Sequence, residues 1–429
     1  MPNTLYCGSV GSTPFRGIFD KRFKTLRTTA YFFLPMEKGK TAARALVPCI
    51  LCRATRKIPD YTQMGRYLSG LYGASLQADC GKMGDMQLLS VTVSGLADRY
   101  ALEKEAISES LLQLLVDVIL DPPLDEQGNF FEESFLQERR QMIEQLQAEY
   151  SDKRVYSLRR LNQIMCGDEP YGLPRLGTRE ELESLTAREV TQAWRDLLKN
   201  AHMEIFSVGD GDPAQIERAL LPLSREQNGT VLMGSTVLRA PRGPVRRVEE
   251  TDQVAQAKMV MGFRTGTVPQ EENEAYAAKV MCALLGGSPQ SKLFCHVREE
   301  MSLCYYCSSR FQNLKGILTI ESGVQPDNIG RAQEAILQQV QAIQNGEFTK
   351  EELDCAKLSM QNSYRTVEDY AGSLESWYMS QVQYPFRHTP EEANRACWAV
   401  TAEQVIGAAR SLRLDTVYCL IGGDAHEEN

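Results

Sequence analysis

The stretch SLTAREVTQAWRDLL at residues 184–198 is echoed by AVTAEQVIGAARSL at residues 399–412. Each is followed by a β-like run that ends in Gly-Asp, HMEIFSVGDGD from His202 and DTVYCLIGGDA from Asp415. Thr186 and Thr401 lie 215 positions apart, and Asp210 and Asp424 lie 214 apart. An offset that holds across two markers indicates duplication, and a period this long excludes a solenoid. The chain is therefore read as two tandem homologous domains: residues 1–225, a linker at 226–245, and residues 246–429. The linker lies in SREQNGTVLMGSTVLRAPRGPVRRVEETDQ, which mixes Gly, Pro and charge without an apolar period. The run Arg242-Gly-Pro-Val-Arg-Arg reads as solvated linker.

Within each half, strands alternate with helices. Residues 28–34 and 258–263 open the halves as apolar, β-branched or aromatic strands, and 88–94 and 317–322 supply further strands. Residues 101–120 carry helical spacing and stop at Asp121-Pro-Pro, and 131–165 reads as a long helix with one break. The second-half counterpart of 101–120 is 328–344, which ends before Gly346. The expected fold class is α+β, each domain an antiparallel sheet covered by helices.

Of the 429 residues, 43% are hydrophobic and 24% charged, an ordinary globular balance. A net charge of −9 argues against nucleic-acid binding, which draws on a Lys/Arg surplus. The N-terminus lacks a basic segment followed by an apolar core, and the most apolar helical stretch, 111–120, is too short to cross a bilayer. A cytoplasmic protein without a membrane partner is expected. The twelve cysteines are scattered, which favours reduced thiols. Cys49/Cys52 and Cys304/Cys307 have the spacing of thiolate zinc ligands, although both pairs sit in apolar segments and simple packing explains them as well.

The histidines are His202, His296, His388 and His426, with no two inside five residues of each other. A hydrolytic zinc site built from imidazoles one helical turn apart cannot be assembled from them.

YGLPRLGTREELESLT at residues 171–186, LLGGSPQSKLFCHVREEMSLCYY at 284–306 and LYGASL at 71–76 carry a resemblance to the insulinase/pitrilysin family of zinc peptidases, in particular its YmfF-type branch. The resemblance spans essentially the whole chain. It implies a LuxS/MPP-like clamshell, and in active members a His-x-x-Glu-His helix followed by a Gly-Thr-like turn. Here that turn resembles Ala54-Thr55, which puts the motif on Ala45, Pro48 and Cys49. The family's third ligand, a glutamate, falls on Gln145, next to Glu144. Both imidazoles and the general base are missing, so no metal is expected on this chain.

The second-half signature survives. Its Gly286, Gly287 and Ser288 look like a turn ahead of a helix and pair, by the same resemblance, with an extended peptide. Arg298 and Tyr305 stand in the spacing of the family's substrate-holding pair. Arginine offers peptide carbonyls a planar fork of donors, and a tyrosine hydroxyl can donate to a developing oxyanion. Against this stand plainer readings: Arg298 pairs with Glu299 or Glu300, Tyr305 fills a strand, and His296 is a polar helix-face residue. The family includes heterodimers in which one subunit carries zinc and the other the Arg/Tyr half. The resemblance thus implies a non-catalytic subunit with zinc on a partner, an extended peptide as substrate, and no nucleic acid. The alternatives are a scaffold or peptide-binding clamshell with no proteolysis, and a cysteine-ligated metal protein.

Overall fold

The computed structural model describes residues 4–224, 229, 236–241, 243–384 and 386–423. Half of the 226–245 linker, Arg242 included, and Asp424 and His426 lie outside these residues. The chain divides into two compact units. The first comprises Met1–Gln147, Leu173–Ser235 and Glu368–Arg387, and the second Ala148–Gly172, Thr236–Val367 and His388–Asn429. They are not simple contiguous halves, because each contains a segment taken from the other half of the sequence.

The first unit holds β1 (Tyr6–Val10), β2 (Thr13–Phe19), β3 (Thr25–Pro35), β4 (Ser75–Met83), β5 (Met86–Leu96) and β6 (His202–Gly209), in the order β1-β2-β6-β3-β5-β4. The second holds β7 (Arg246–Asp252), β8 (Ala257–Arg264), β9 (Cys304–Gln312), β10 (Ile317–Val324) and β11 (Arg413–Gly422), in the order β7-β11-β8-β10-β9. Strip β1 from the first sheet and the orders correspond strand for strand, so the duplication read from the sequence reappears as topology. Both sheets are antiparallel except for one parallel join each, β2 with β6 and β7 with β11. The repeated stretches form equivalent helices, Ala187–Asn200 and Ala402–Arg410, started by capping boxes at Thr186/Glu189 and Thr401/Gln404.

β3 is central because its residues suit burial on both faces. Phe32 and Phe33 are wholly buried, and each such side chain contributes roughly 1.5–3 kcal/mol. Helices Thr41–Leu51, Ile107–Leu120 and Ala187–Asn200 cover this sheet with Leu46, Leu115 and Trp194 in one continuous core. β7 was not expected as a strand. Its sequence RRVEETD is mostly charged and half exposed, which suits an edge position and hides the strand from a hydrophobicity reading.

The expected long helix is two, Glu132–Ser151 and Lys153–Met165, with the break at Asp152, whose carboxylate caps the second by accepting from the N–H groups of Arg154 and Val155. The second helix lies on β8 and β11, with Leu161 packed among Val260, Tyr418 and Leu420. A side chain at Gly262 of β8 would collide with the sulfur of Met165, 2.5 Å from an added Cβ, so glycine permits this approach. Beyond the helix, Glu169 is fully buried. Its Oε1 accepts from Arg264 Nη2 at 2.5 Å and its Oε2 from Lys315 Nζ at 2.9 Å, while Asp415 sits 3.3 Å from Arg264 Nε. At the other end of the segment Lys153 Nζ donates to Asp252 at 2.7 Å.

The first unit treats its foreign segment in the same way. Glu375, 1% exposed, pairs with Arg27 and accepts from the Tyr31 hydroxyl at 2.7 Å; both partners stand on β3. Burial, then the neighbouring Glu375 charge, pushes the Tyr31 phenol far up and keeps it a donor. Tyr378 stacks on Phe206 of β6.

Glu169→Ala removes the carboxylate that Arg264 and Lys315 share and leaves Arg264 to Asp415 alone; it is expected to cost about 3–5 kcal/mol, read as a lower denaturant midpoint for the second unit. Asp252 gives a pH signature. Hydrogen bonds from Lys153 and Tyr150 hold its pKa down to about 2, below the ordinary aspartate value near 4. Its contribution is present above that ordinary value and is lost as pH falls through about 2. The destabilisation caused by Asp252→Asn at neutral pH should therefore shrink between about pH 4 and pH 2 in thermal melts.

Candidate functional site

Ala45, Pro48 and Cys49 lie on the helix Thr41–Leu51, where Ala45 and Pro48 are buried and offer no ligand atom. The helix continues through Pro48, which lacks the N–H that would bond the Arg44 carbonyl. The Pro48 carbonyl still accepts from the Cys52 N–H at 3.1 Å. The Cys49 thiol donates to the Ala45 carbonyl at 3.8 Å. Burial, reinforced by the charge of Glu138, pushes its pKa up to about 12 and keeps it protonated. Burial also pushes the Cys52 thiol up. These are core thiols and not the thiolates that bind a metal.

Gln145 and Glu144 are exposed on the helix Glu132–Ser151. The carboxylate whose charge reaches Cys49 and Cys52 is Glu138, seven residues earlier. Seven residues are two turns, so Glu138 and Gln145 share a helix face and differ by about 10 Å along the axis. Glu138 already has a cation: its Oε1 accepts from Arg53 Nη1 at 2.6 Å, both side chains being mostly buried. Arg53 Nη2 donates to Gln137 at 2.8 Å, and the guanidinium lies 5.1 Å from the Tyr61 ring centre. The residues do not fit zinc. Two of the three motif positions are apolar, the third is a protonated thiol, and the nearby carboxylate is neutralised from within. Among the described residues no three His, Cys, Asp or Glu side chains are grouped to hold a metal ion.

The described histidines have local partners instead: His202 Nε2 with Glu204 at 2.9 Å, His296 Nδ1 with Glu300 at 2.8 Å, and His388 Nδ1 with the Tyr276 hydroxyl at 2.8 Å.

In the second unit, Ala283–Gly287 and Leu293–Glu300 wind as wide π-type turns either side of the Gly-Gly-Ser bend. Gly286 has a structural reason. A Cβ there would stand 2.8 Å from the Ser309 backbone nitrogen and 2.7 Å from Leu293, so glycine lets β9 close against the turn. Gly287 is exposed, and Ser288 is buried with its hydroxyl unpaired. Arg298 is half exposed. Its guanidinium lies 4.5 Å from the Phe294 ring centre and 3.5 Å from Glu299, the plainer pairing weighed from sequence.

Tyr305 is 52% exposed on the edge strand β9. The register of β9 against β10 slips here: Gly323 faces Tyr306 and Val324 faces Cys304, so Tyr305 is the extra residue of a bulge. Its hydroxyl oxygen accepts from Gln325 Nε2 at 2.7 Å. The family resemblance singled out Arg298 and Tyr305, and sequence reading missed both the bulge and the Arg53–Glu138 pair.

Two sheets of matching order, each covered by helices, define a duplicated α+β fold, and the helix Thr41–Leu51 offers no set of side chains that fits zinc. The chain belongs to the peptidase M16 family. The family model for the peptidase M16 inactive domain matches residues 184–360. The chain is 30% identical over 403 residues to the probable inactive metalloprotease YmfF of Bacillus subtilis, covering 94% of both proteins. It is 26% identical to the uncharacterized zinc protease YmxG of the same organism, over 70% of this chain and 72% of that one. Among solved structures, a conserved protein from Enterococcus faecalis matches with a TM-score of 0.89 at 23% identity, covering 99% of this chain and all of that one. A peptidase M16 inactive domain from Pseudomonas fluorescens matches at 0.79 and 17%, again covering 99% of this chain and all of that one. No described helix is long and apolar enough to cross a membrane.

Arg53→Met is expected to strand Glu138 and lower stability by about 2–4 kcal/mol, less than a fully buried pair would lose because both groups keep some solvent. The double variant Arg53→Met/Glu138→Leu should recover most of it in urea titrations. A double variant no more stable than the single one would show that the pair carries no such energy.

Proposed function

We propose that this chain is the zinc-less subunit of a two-chain peptidase. It holds an extended peptide through Arg298 and Tyr305 and leaves hydrolysis to a zinc-bearing sister, in the cytoplasm and without nucleic acid. The observation that carries this reading is the state of Tyr305. The bulge turns it outward on an edge strand, and its oxygen is used as an acceptor by Gln325, so its own O–H remains to donate. Arg298 is available for the same work. Its contact with Glu299 is exposed and long, and such pairs contribute only about 0–1 kcal/mol, so a peptide carbonyl can replace it. Edge strand β9 presents backbone beside both residues, which suits an extended peptide. Zinc-protease relatives such as YmxG indicate the kind of sister to seek.

A second reading, a scaffold or peptide-binding clamshell with no part in proteolysis, is favoured by the same Arg298–Glu299 contact, since a surface ion pair needs no substrate.

Co-expression with a zinc-motif homologue from the same source and a peptide-cleavage assay separate the two. A composite site requires cleavage by the pair, sensitive to chelators and absent from this chain alone. Tyr305→Phe or Arg298→Ala should lower kcat roughly 10²–10³-fold if each supplies a transition-state donor. Cleavage by the sister that ignores both substitutions would leave the scaffold reading.

A further inference from the structure

Cys304 and Cys307 are three residues apart on a strand, where alternation would put them on opposite faces of the sheet. The bulge at Tyr305 cancels that alternation. Cys307 faces Ser322 and Cys304 faces Val324 on β10, two positions of one face, so both thiols point to the same side. Both are buried, at 8% and 6% exposure, while Tyr305 between them is open to solvent. Because their partners on β10 are two residues apart, the two Cα atoms are separated by roughly 6.7 Å, at the upper end of the span a disulfide bridges.

We propose that Cys304 and Cys307 are a reversible disulfide site on the edge strand β9, closed by a hydroperoxide and reopened by thiols. The inference does not rest on the peptide-holding reading, since its readout is the oxidation state of these two sulfurs.

The two thiols are chemically unequal. A hydrogen bond from Cys307 favours the Cys304 thiolate, and the Arg298 charge adds to this, so Cys304 titrates below an ordinary thiol. The same hydrogen bond, with burial, pushes Cys307 well up and makes it the proton holder. Cys304 is thus the nucleophile and Cys307 the resolving thiol. The Cys304 thiolate attacks one peroxide oxygen, the O–O bond breaks, and Cys304 becomes a sulfenic acid as hydroxide leaves and takes up a proton to give water. The Cys307 sulfur then attacks the Cys304 sulfur, the S–O bond breaks, and the departing oxygen leaves as a second water. Two thiols lose two electrons and two protons, and one peroxide is reduced to two waters. Near its geometric limit such a bridge is strained and readily reopened.

The Cys49/Cys52 pair is an internal control. It has the same spacing, but burial outweighs everything else and pushes both thiols up. Exposed Cys7 is a second control, a thiol that peroxide can reach freely.

The test is graded hydrogen peroxide on the folded full chain, followed by alkylation and peptide mapping. The expected result is a Cys304–Cys307 cross-link that forms at or below the peroxide level oxidising Cys7, with two of the twelve thiols lost and both regained with dithiothreitol. Cys307→Ser should accumulate a dimedone-trappable sulfenic acid at Cys304, and Cys304→Ser should leave Cys307 alkylatable, with circular dichroism confirming that each variant is folded. Oxidation of Cys7 while Cys304 and Cys307 both still alkylate would overturn the proposal. So would cross-linking of Cys49 with Cys52 ahead of this pair, or a folded Cys307→Ser variant that traps nothing at Cys304.

Discussion

A buried carboxylate holds each unit together at the point where a distant segment joins it. Glu169 meets Arg264 on β8 and Lys315, and Glu375 meets Arg27 and Tyr31 on β3. A fully buried anion is tolerable only when it is paired and hydrogen-bonded, so these segments have little choice of position. β3 and β8 are equivalent strands in the two sheets, and in both the sheet supplies the cation and the incoming segment the anion. The packing around them follows. Met165 settles over Gly262, and Tyr378 stacks on Phe206.

Beside the helix Thr41–Leu51 the chain again relies on a guanidinium. Arg53 satisfies Glu138 and leans on Tyr61, while Ala45, Pro48 and Cys49 join the apolar packing of their helix. This repair is local. It leaves the helix Thr41–Leu51 covering its sheet and asks nothing of the second unit. Arg298 and Tyr305 belong to the second unit, where both are partly open to solvent.

The duplication, the α+β class and the strands β3, β5, β8 and β10 were legible because β-branched and aromatic runs announce buried strands. Thr186 and Thr401 were read only as markers of the repeat, and their part in capping boxes came from the structure. β7 was not legible, since its mostly charged sequence resembles linker. The exchange of Ala148–Gly172 and Glu368–Arg387 between units was invisible, because an amphipathic helix shows that it needs a sheet and not which one. The same limit hid Glu138: Gln145 repeats its helix face two turns on, and only three-dimensional packing decides between them. The bulge that aims Tyr305 outward depends on one slipped pairing with β10, which no composition records.

The exchanged segments also bear on how the molecule comes into being. The first sheet receives Glu375 only after residues 368–387 have left the ribosome, and the helix Lys153–Met165, made early, must wait for β8 and β11. The main core of the first unit, from Val10 to Leu223, is complete in the early chain, so residues 368–387 join a sheet whose apolar packing already exists, while the helix Lys153–Met165 waits for its own sheet.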